Sequence, residues 1–193
     1  MEGRYRRFTR KIKAGSLIKL LIVLLLSGVQ PANVWSQVTL NASGSATIVT
    51  AITLIKNYNL DFGNLAVTTS GGNCVLAPVS GNNPTRNTTG GVTLPAFHGT
   101  PRAAEFITTG VVGQIFTINI PAVALTITSG ANTMYIDTYT TDQTVVTAGT
   151  SWTGTFGASG TTFHVGATVH VANNQPAGLY TNAAGFPVTV NYQ

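Results

Sequence analysis

The chain has 193 residues, about one domain's worth. Its formal charge of +5 is carried at the front, where Arg4, Arg6, Arg7, Arg10, Lys11, Lys13 and Lys19 cluster. After residue 36 only Lys56, Arg86 and Arg102 face Asp61, Glu105, Asp137 and Asp142, which excludes an electrostatic nucleic-acid binder and, with 44% hydrophobic residues, a charged disordered chain.

Residues 1–36 are expected to be a secretory signal peptide. Basic residues come first, the apolar run Leu20–Leu26 follows, and Val34-Trp35-Ser36 offers a small-residue cut before Gln37. The alternative is a membrane anchor. Counted from Leu17 the apolar stretch is short and contains Lys19, whereas a spanning helix needs about 20 apolar residues.

From Val38 the even positions read Val38, Leu40, Ala42, Gly44, Ala46, Ile48, Thr50, Ile52 and Leu54, with Thr39, Asn41, Ser43, Ser45 and Thr47 between. One face therefore persists for about 17 residues, roughly 55 Å at strand rise. Strands usually run about five or six residues, so this reads as two elements. An extended arm occupies 37–49, and a domain of residues 50–193 begins with the strand that follows. An exposed alternating arm invites pairing with another sheet edge.

Strands are expected near 46–56, 74–79, 91–97, 103–109, 114–120, 133–140, 161–171 and 186–192. Two are strong. Phe163, Val165, Ala167, Val169 and Val171 alternate with polar or small residues, and so do Phe186, Val188, Val190 and Tyr192. Turn clusters at Ser70–Asn73, Ser80–Pro84, Ser129–Asn132 and Asn173–Pro176 separate the rest. The fold class is all-β, an antiparallel sandwich of immunoglobulin-like type. The final strand keeps a free side unless the topology covers it.

Chemistry finds little support in the residue pattern. His164 and His170 lie on one strand about 20 Å apart, too far to share a metal, and read as surface residues. No acid pair, nucleophile elbow or phosphate loop is present. Gly154–Gly160 reads as a hairpin loop. Met134–Tyr139 with Trp152 and Phe156 gathers aromatics that would serve either a sugar-binding face or core packing. Cys74, the single cysteine, has no internal disulfide partner and reads as a buried small residue.

Certain motifs carry a resemblance. Leu60-Asp61-Phe62-Gly63-Asn64-Leu65 resembles the early Phe-Gly turn of spore-coat-protein-U-like subunits and archaic chaperone–usher pilins. Pro176-Ala177-Gly178-Leu179-Tyr180, followed by Pro187 to Gln193, resembles their C-terminal pattern. Gly90-Gly91-Val92, Ala103 to Phe106 with Thr109-Gly110, Phe116-Thr117-Ile118 and Phe163 to Ala167 are similar to an uncharacterised family of secreted bacterial proteins related to these pilins.

The resemblance implies an incomplete immunoglobulin-like domain completed by a donor strand. The arm residues would be Val38, Leu40, Ala42, Ala46 and Ile48, and the acceptor groove edge Val188, Val190 and Tyr192. It implies a fimbrial subunit at the cell surface, with copies of itself, a periplasmic chaperone and an outer-membrane usher as partners and a surface glycan as an optional one. It implies no enzyme activity, no cofactor and no metal. The alternative is a secreted monomeric adhesive or carbohydrate-binding module. The signal reading predicts a mature N-terminus at Gln37. Intact mass of secreted protein checks this, and a start well before residue 30 would count against it.

Overall fold

The computed structural model describes residues 37–193, and the expected signal peptide lies outside them. The chain divides at Ala46/Thr47 into two units. In the first, residues 37–46 form no strand and are exposed. The second holds all the strands, and no helix forms among the described residues.

Thirteen strands follow in order: β1 Thr53–Tyr58, β2 Ala66–Val67, β3 Gly72–Leu76, β4 Arg86–Thr88, β5 Val92–Thr93, β6 Ala104–Thr109, β7 Ile115–Asn119, β8 Leu125–Ser129, β9 Asn132–Thr141, β10 Thr144–Thr147, β11 Ser151–Thr155, β12 Thr161–Val171 and β13 Thr189–Tyr192. Their ladders are antiparallel. One sheet has seven strands, with β1-β6-β12-β3-β4 as its main path and β9 joining β12 to β8. A second runs β10-β11-β7-β13, and β2 pairs with β5.

The alternation read in the sequence is the reason the two large sheets form a β-sandwich. Phe163, Val165, Ala167 and Val169 of β12 are buried with Leu76, Phe106, Ile136 and Tyr139 of the same sheet. They share one core with Phe116, Ile118 and Trp152 of the other. At β9 a simple period of two fails. Asp137 pairs with Thr168 but Thr140 with Gly166, so β9 holds an extra residue. Thr138 takes a φ of 51° there, and this bulge turns both Ile136 and Tyr139 inward.

The expectation holds at 161–171 and, within a residue or two, at 104–109, 115–119 and 132–141, while 74–79 moves to Gly72–Leu76. Others shift. The strand expected at 46–56 begins only at Thr53, that at 186–192 only at Thr189, and 91–97 shortens to Val92–Thr93. Strands β2, β4, β8, β10 and β11 were not anticipated. At two to five residues each they are too short for a period of two to stand out. Gly154–Gly160 is not a hairpin loop. It carries the chain from β11 in one sheet to β12 in the other, with Phe156 of the loop buried in the core.

Arg86 is buried and pins the early turn, donating from Nη1 to Phe62 O at 2.7 Å and to Asn64 O at 3.2 Å. Gly63 in that turn has φ 66° and sits against the His98 carbonyl, so only glycine fits. Cys74 is fully buried on β3 with a free thiol. Burial pushes that thiol up to about 11, against a smaller lowering pull from Arg86. Native Cys74 should therefore resist alkylation and react only on unfolding. Cys74→Ser should cost about 1–3 kcal/mol, the scale of a small buried substitution that strands a hydroxyl. Urea melts and the mass of alkylated protein check both, and a larger loss would mean that the thiol bridges something.

Candidate functional site

Both sheets end in strands with one side unpaired. β1 pairs with β6 alone, and β13 pairs with β7 alone. A chain of contacts brings these two edges to one margin of the sandwich. The Tyr192 hydroxyl of β13 accepts the Val111 N–H at 2.9 Å and donates to the Thr50 carbonyl at 2.6 Å, just ahead of β1. Its ring meets Phe156 edge-on at 5.4 Å. Ile52 and Leu54 on one lip and Val188, Val190 and Tyr192 on the other are half-buried and pack against the core. Along this margin two rows of backbone N–H and C=O groups lie beside a partly covered apolar floor. That is what an incoming strand requires, since backbone pairing holds it and alternate side chains enter the floor.

The acceptor residues expected from the sequence lie at this margin. Val190 and Tyr192 are on β13, while Val188 precedes the strand and still packs on the core. Ile52 and Leu54, the opposite lip, were not singled out, although their alternation with Thr53 and Ile55 was visible. The donor-arm residues form no strand. Val38 is 86% exposed, Leu40 91% and Ile48 98%, and Ala42 and Ala46 are exposed. These apolar side chains alternate with polar ones on a segment without a ladder of its own.

Most of the aromatic cluster is core. Tyr139, Trp152 and Phe156 are each 1% exposed, so the core-packing alternative accounts for them, while Tyr135 of β9 is 49% exposed and stands alone. Tyr139 packs against Phe186 with ring centroids 4.6 Å apart and planes tilted by 34°, and burial, with a smaller push from Asp137, raises its hydroxyl to about 12. Among the described residues no group of three or more His, Cys, Asp or Glu side chains is arranged to hold a metal, and no helix is long and apolar enough to cross a membrane.

The histidines need correcting. His164 is buried, not a surface residue, and its ring lies between two carboxylates. Nδ1 is 2.7 Å from Asp142 Oδ2 and Nε2 is 3.2 Å from Glu105 Oε2, while the His164 backbone N–H donates to Asp142 Oδ1. His170, half-buried, places Nε2 2.7 Å from Asp137 Oδ1. Every ion pair among the described residues uses one of these histidines. The acids stand 22 to 59 residues from their histidine, so no motif announces the pairs.

A hydrogen bond from Asn57 holds the Glu105 carboxyl below its ordinary range. The bond from His164 and the charges of His164 and Arg102 act with it against a raising effect of burial. Burial opposes ionisation of Asp137 too, but bonds from His170 and Thr138 and the His170 charge outweigh it. A carboxyl depressed on folding stabilises the fold above its unfolded pKa, and that gain is lost as the pH falls through the folded pKa. The melting temperature should therefore decline as acid is added below the ordinary values of 4.5 for Glu105 and 3.8 for Asp137. Glu105→Gln and Asp137→Asn should each flatten that decline and melt earlier than the parent at neutral pH. Calorimetry across the acid range checks this, and profiles parallel to the parent's would refute it.

A protein-family model described as a domain of unknown function, DUF4402, matches residues 52–192, from the lip of β1 to the last residue of β13. Searches of curated proteins and of solved structures return no match. The match covers well over half of the chain, and the protein belongs to the DUF4402 family.

Proposed function

We propose that this protein is a structural subunit of a bacterial surface fimbria, exported through the periplasm and assembled by donor-strand complementation. The observation that supports this reading is the open margin between β1 and β13, two unpaired edges over half-buried apolar residues. The exposed alternating arm at 37–49 is a complementary shape in the same chain. In this reading Val38, Leu40, Ala42, Ala46 and Ile48 enter the margin of another copy and pair beside Val188, Val190 and Tyr192. Burying five such side chains contributes roughly 1–3 kcal/mol for each larger one, before the entropy of ordering the arm.

A joint from one copy's arm to the next copy's margin is head-to-tail. It need not close, and so it propagates as a filament. A periplasmic chaperone fits the same reading, because an uncovered margin is adhesive until the arm arrives. An outer-membrane usher then orders the exchange. The role is mechanical, with no catalytic step, cofactor or metal.

The two faces of the arm test this. Leu40→Asp or Ile48→Asp places a charge in an apolar slot and should cost several kcal/mol at the joint. Thr39→Asp or Thr47→Asp points the other way and should be tolerated. Negative-stain microscopy of cells expressing each variant should show filaments lost in the first pair and kept in the second. Val190→Asp, which damages the margin itself, should fail to accumulate. If inward arm variants lower the melting point of a monomer and no filament exists in the parent, the arm complements its own domain. Equal behaviour of the inward and outward pairs would overturn the donor-strand reading.

A further inference from the structure

Charge is scarce after residue 36, with seven Asp, Glu, Lys and Arg residues in all. Several of them converge on one place, beyond the far end of β1 from Thr50. A hollow of about 300 Å³ is lined by Tyr58, Asn82, Arg102, Glu105 and His164, with Val79, Gly81 and Ala103 completing it. Asp142, behind it, orients His164. Phe163 and Phe106, the neighbours of His164 and Glu105 in their strands, stack together in the core at 5.4 Å. Strand alternation therefore turns His164 and Glu105 to the outer face of the seven-stranded sheet.

The groups in this hollow are fixed but not used up. The backbone of Arg102 is bonded in both directions to Asp61 at 2.8 Å, and its guanidinium lies 3.7 Å over the Tyr58 ring. Stacking occupies the face of the guanidinium and leaves its in-plane N–H donors free, and among the described residues that side chain makes no hydrogen bond or ion pair. Glu105 accepts from Asn57 on one oxygen and faces His164 with the other, which leaves two of its about four lone-pair sites open. The Asn82 side chain, on the loop between β3 and β4, has no bonded partner among the described residues and adds a donor and an acceptor.

The geometry points to this hollow as a binding site for one neutral sugar residue, held through a vicinal diol. Guanidinium is donor-only and carboxylate acceptor-only. Two adjacent hydroxyls satisfy both, one donating to Glu105 and the other accepting from Arg102, because each hydroxyl can do either. An anionic ligand fits less well, since the Glu105 carboxylate itself lines the hollow and repels it. The volume sits at the bottom of the small-molecule range, the size of a single ring. Arg102 already covers the Tyr58 face, so recognition runs through hydrogen bonds and not through stacking. This site does not rest on the fimbrial reading.

Saturation-transfer NMR on the mature chain tests it, with the methyl glycosides of glucose, galactose and mannose and with glucuronic acid as probes. At least one neutral glycoside should bind. Its affinity should fall about tenfold in Arg102→Met, which keeps the stem over Tyr58, the loss expected for a hydrogen bond to a charged group. Asn82→Ala alters an exposed loop side chain, should fold as the parent does, and should weaken the same glycoside. Asp137→Asn, outside the hollow, should leave binding unchanged. No binding by any neutral glycoside, or equal binding by the parent and the Asn82→Ala and Arg102→Met variants, would overturn the site. Glucuronic acid binding more than tenfold tighter than its neutral counterpart would overturn the diol and make the ligand an anion.

Discussion

Strand β12 carries the fold. Its eleven residues pair with β6 along the first half and with β3 and β9 on opposite sides of the second. A strand in that position must satisfy its backbone through neighbours on both sides and fill the core with one face. Phe163, Val165, Ala167 and Val169 do the latter with almost no exposure. Gly166 permits the close crossing of the chain leaving β3, because a Cβ there would collide with the Leu76 carbonyl. The other face of β12 brings His164 and His170 within reach of acids from β6, β9 and the turn after it. Core and polar cluster are thus two faces of one period-two strand.

A sandwich built outward from such a centre runs out of partners at its rims. The demand of backbone groups for hydrogen bonds is the same at an edge as at the centre, and only solvent or another strand meets it. The rim between β1 and β13 differs from a solvated edge because Ile52, Leu54, Val188 and Val190 lie half-buried beneath it. Tyr192 closes one end by bonding to Thr50 and Val111, which sets where a further strand would have to stop. The arm at 37–49 has the complementary problem, apolar residues without a sheet. Pairing the two resolves both deficits with the same contacts, which is the physical basis of the proposed assembly.

With so few charges the protein has little electrostatic surface, and the ionic contacts it does make are concentrated. Glu105 is shared by Asn57, at the irregularity between Lys56 and Tyr58 in β1, and by His164 on the central strand. That links an edge strand to the centre of the sheet through side chains as well as through the ladder. It also builds a polar hollow on a face that elsewhere carries Ile55, Val75 and Ile107 among its threonines and asparagines.

Much of the architecture was readable from periodicity. Alternation at 161–171 and 115–119, together with the Gly, Asn and Pro turn clusters, is local information, and a strand with one apolar face expresses it directly. The core-facing positions Val190 and Tyr192 of β13 were readable for the same reason, as was the alternation of apolar and polar residues at 38–48. Three things were not. The bulge at Thr138 shifts the inward set of β9, and nothing in its residue type marks the shift. The glycine-rich stretch at 154–160 looks the same whether it turns back within a sheet or crosses between sheets, because glycine permits both. The union of Glu105, Asp142 and His164 depends on which strands become neighbours, and that is settled by long-range pairing that brings residues 22 and 59 positions apart into contact. Alternation states which way a side chain faces, and only the packed sheets state what it meets there.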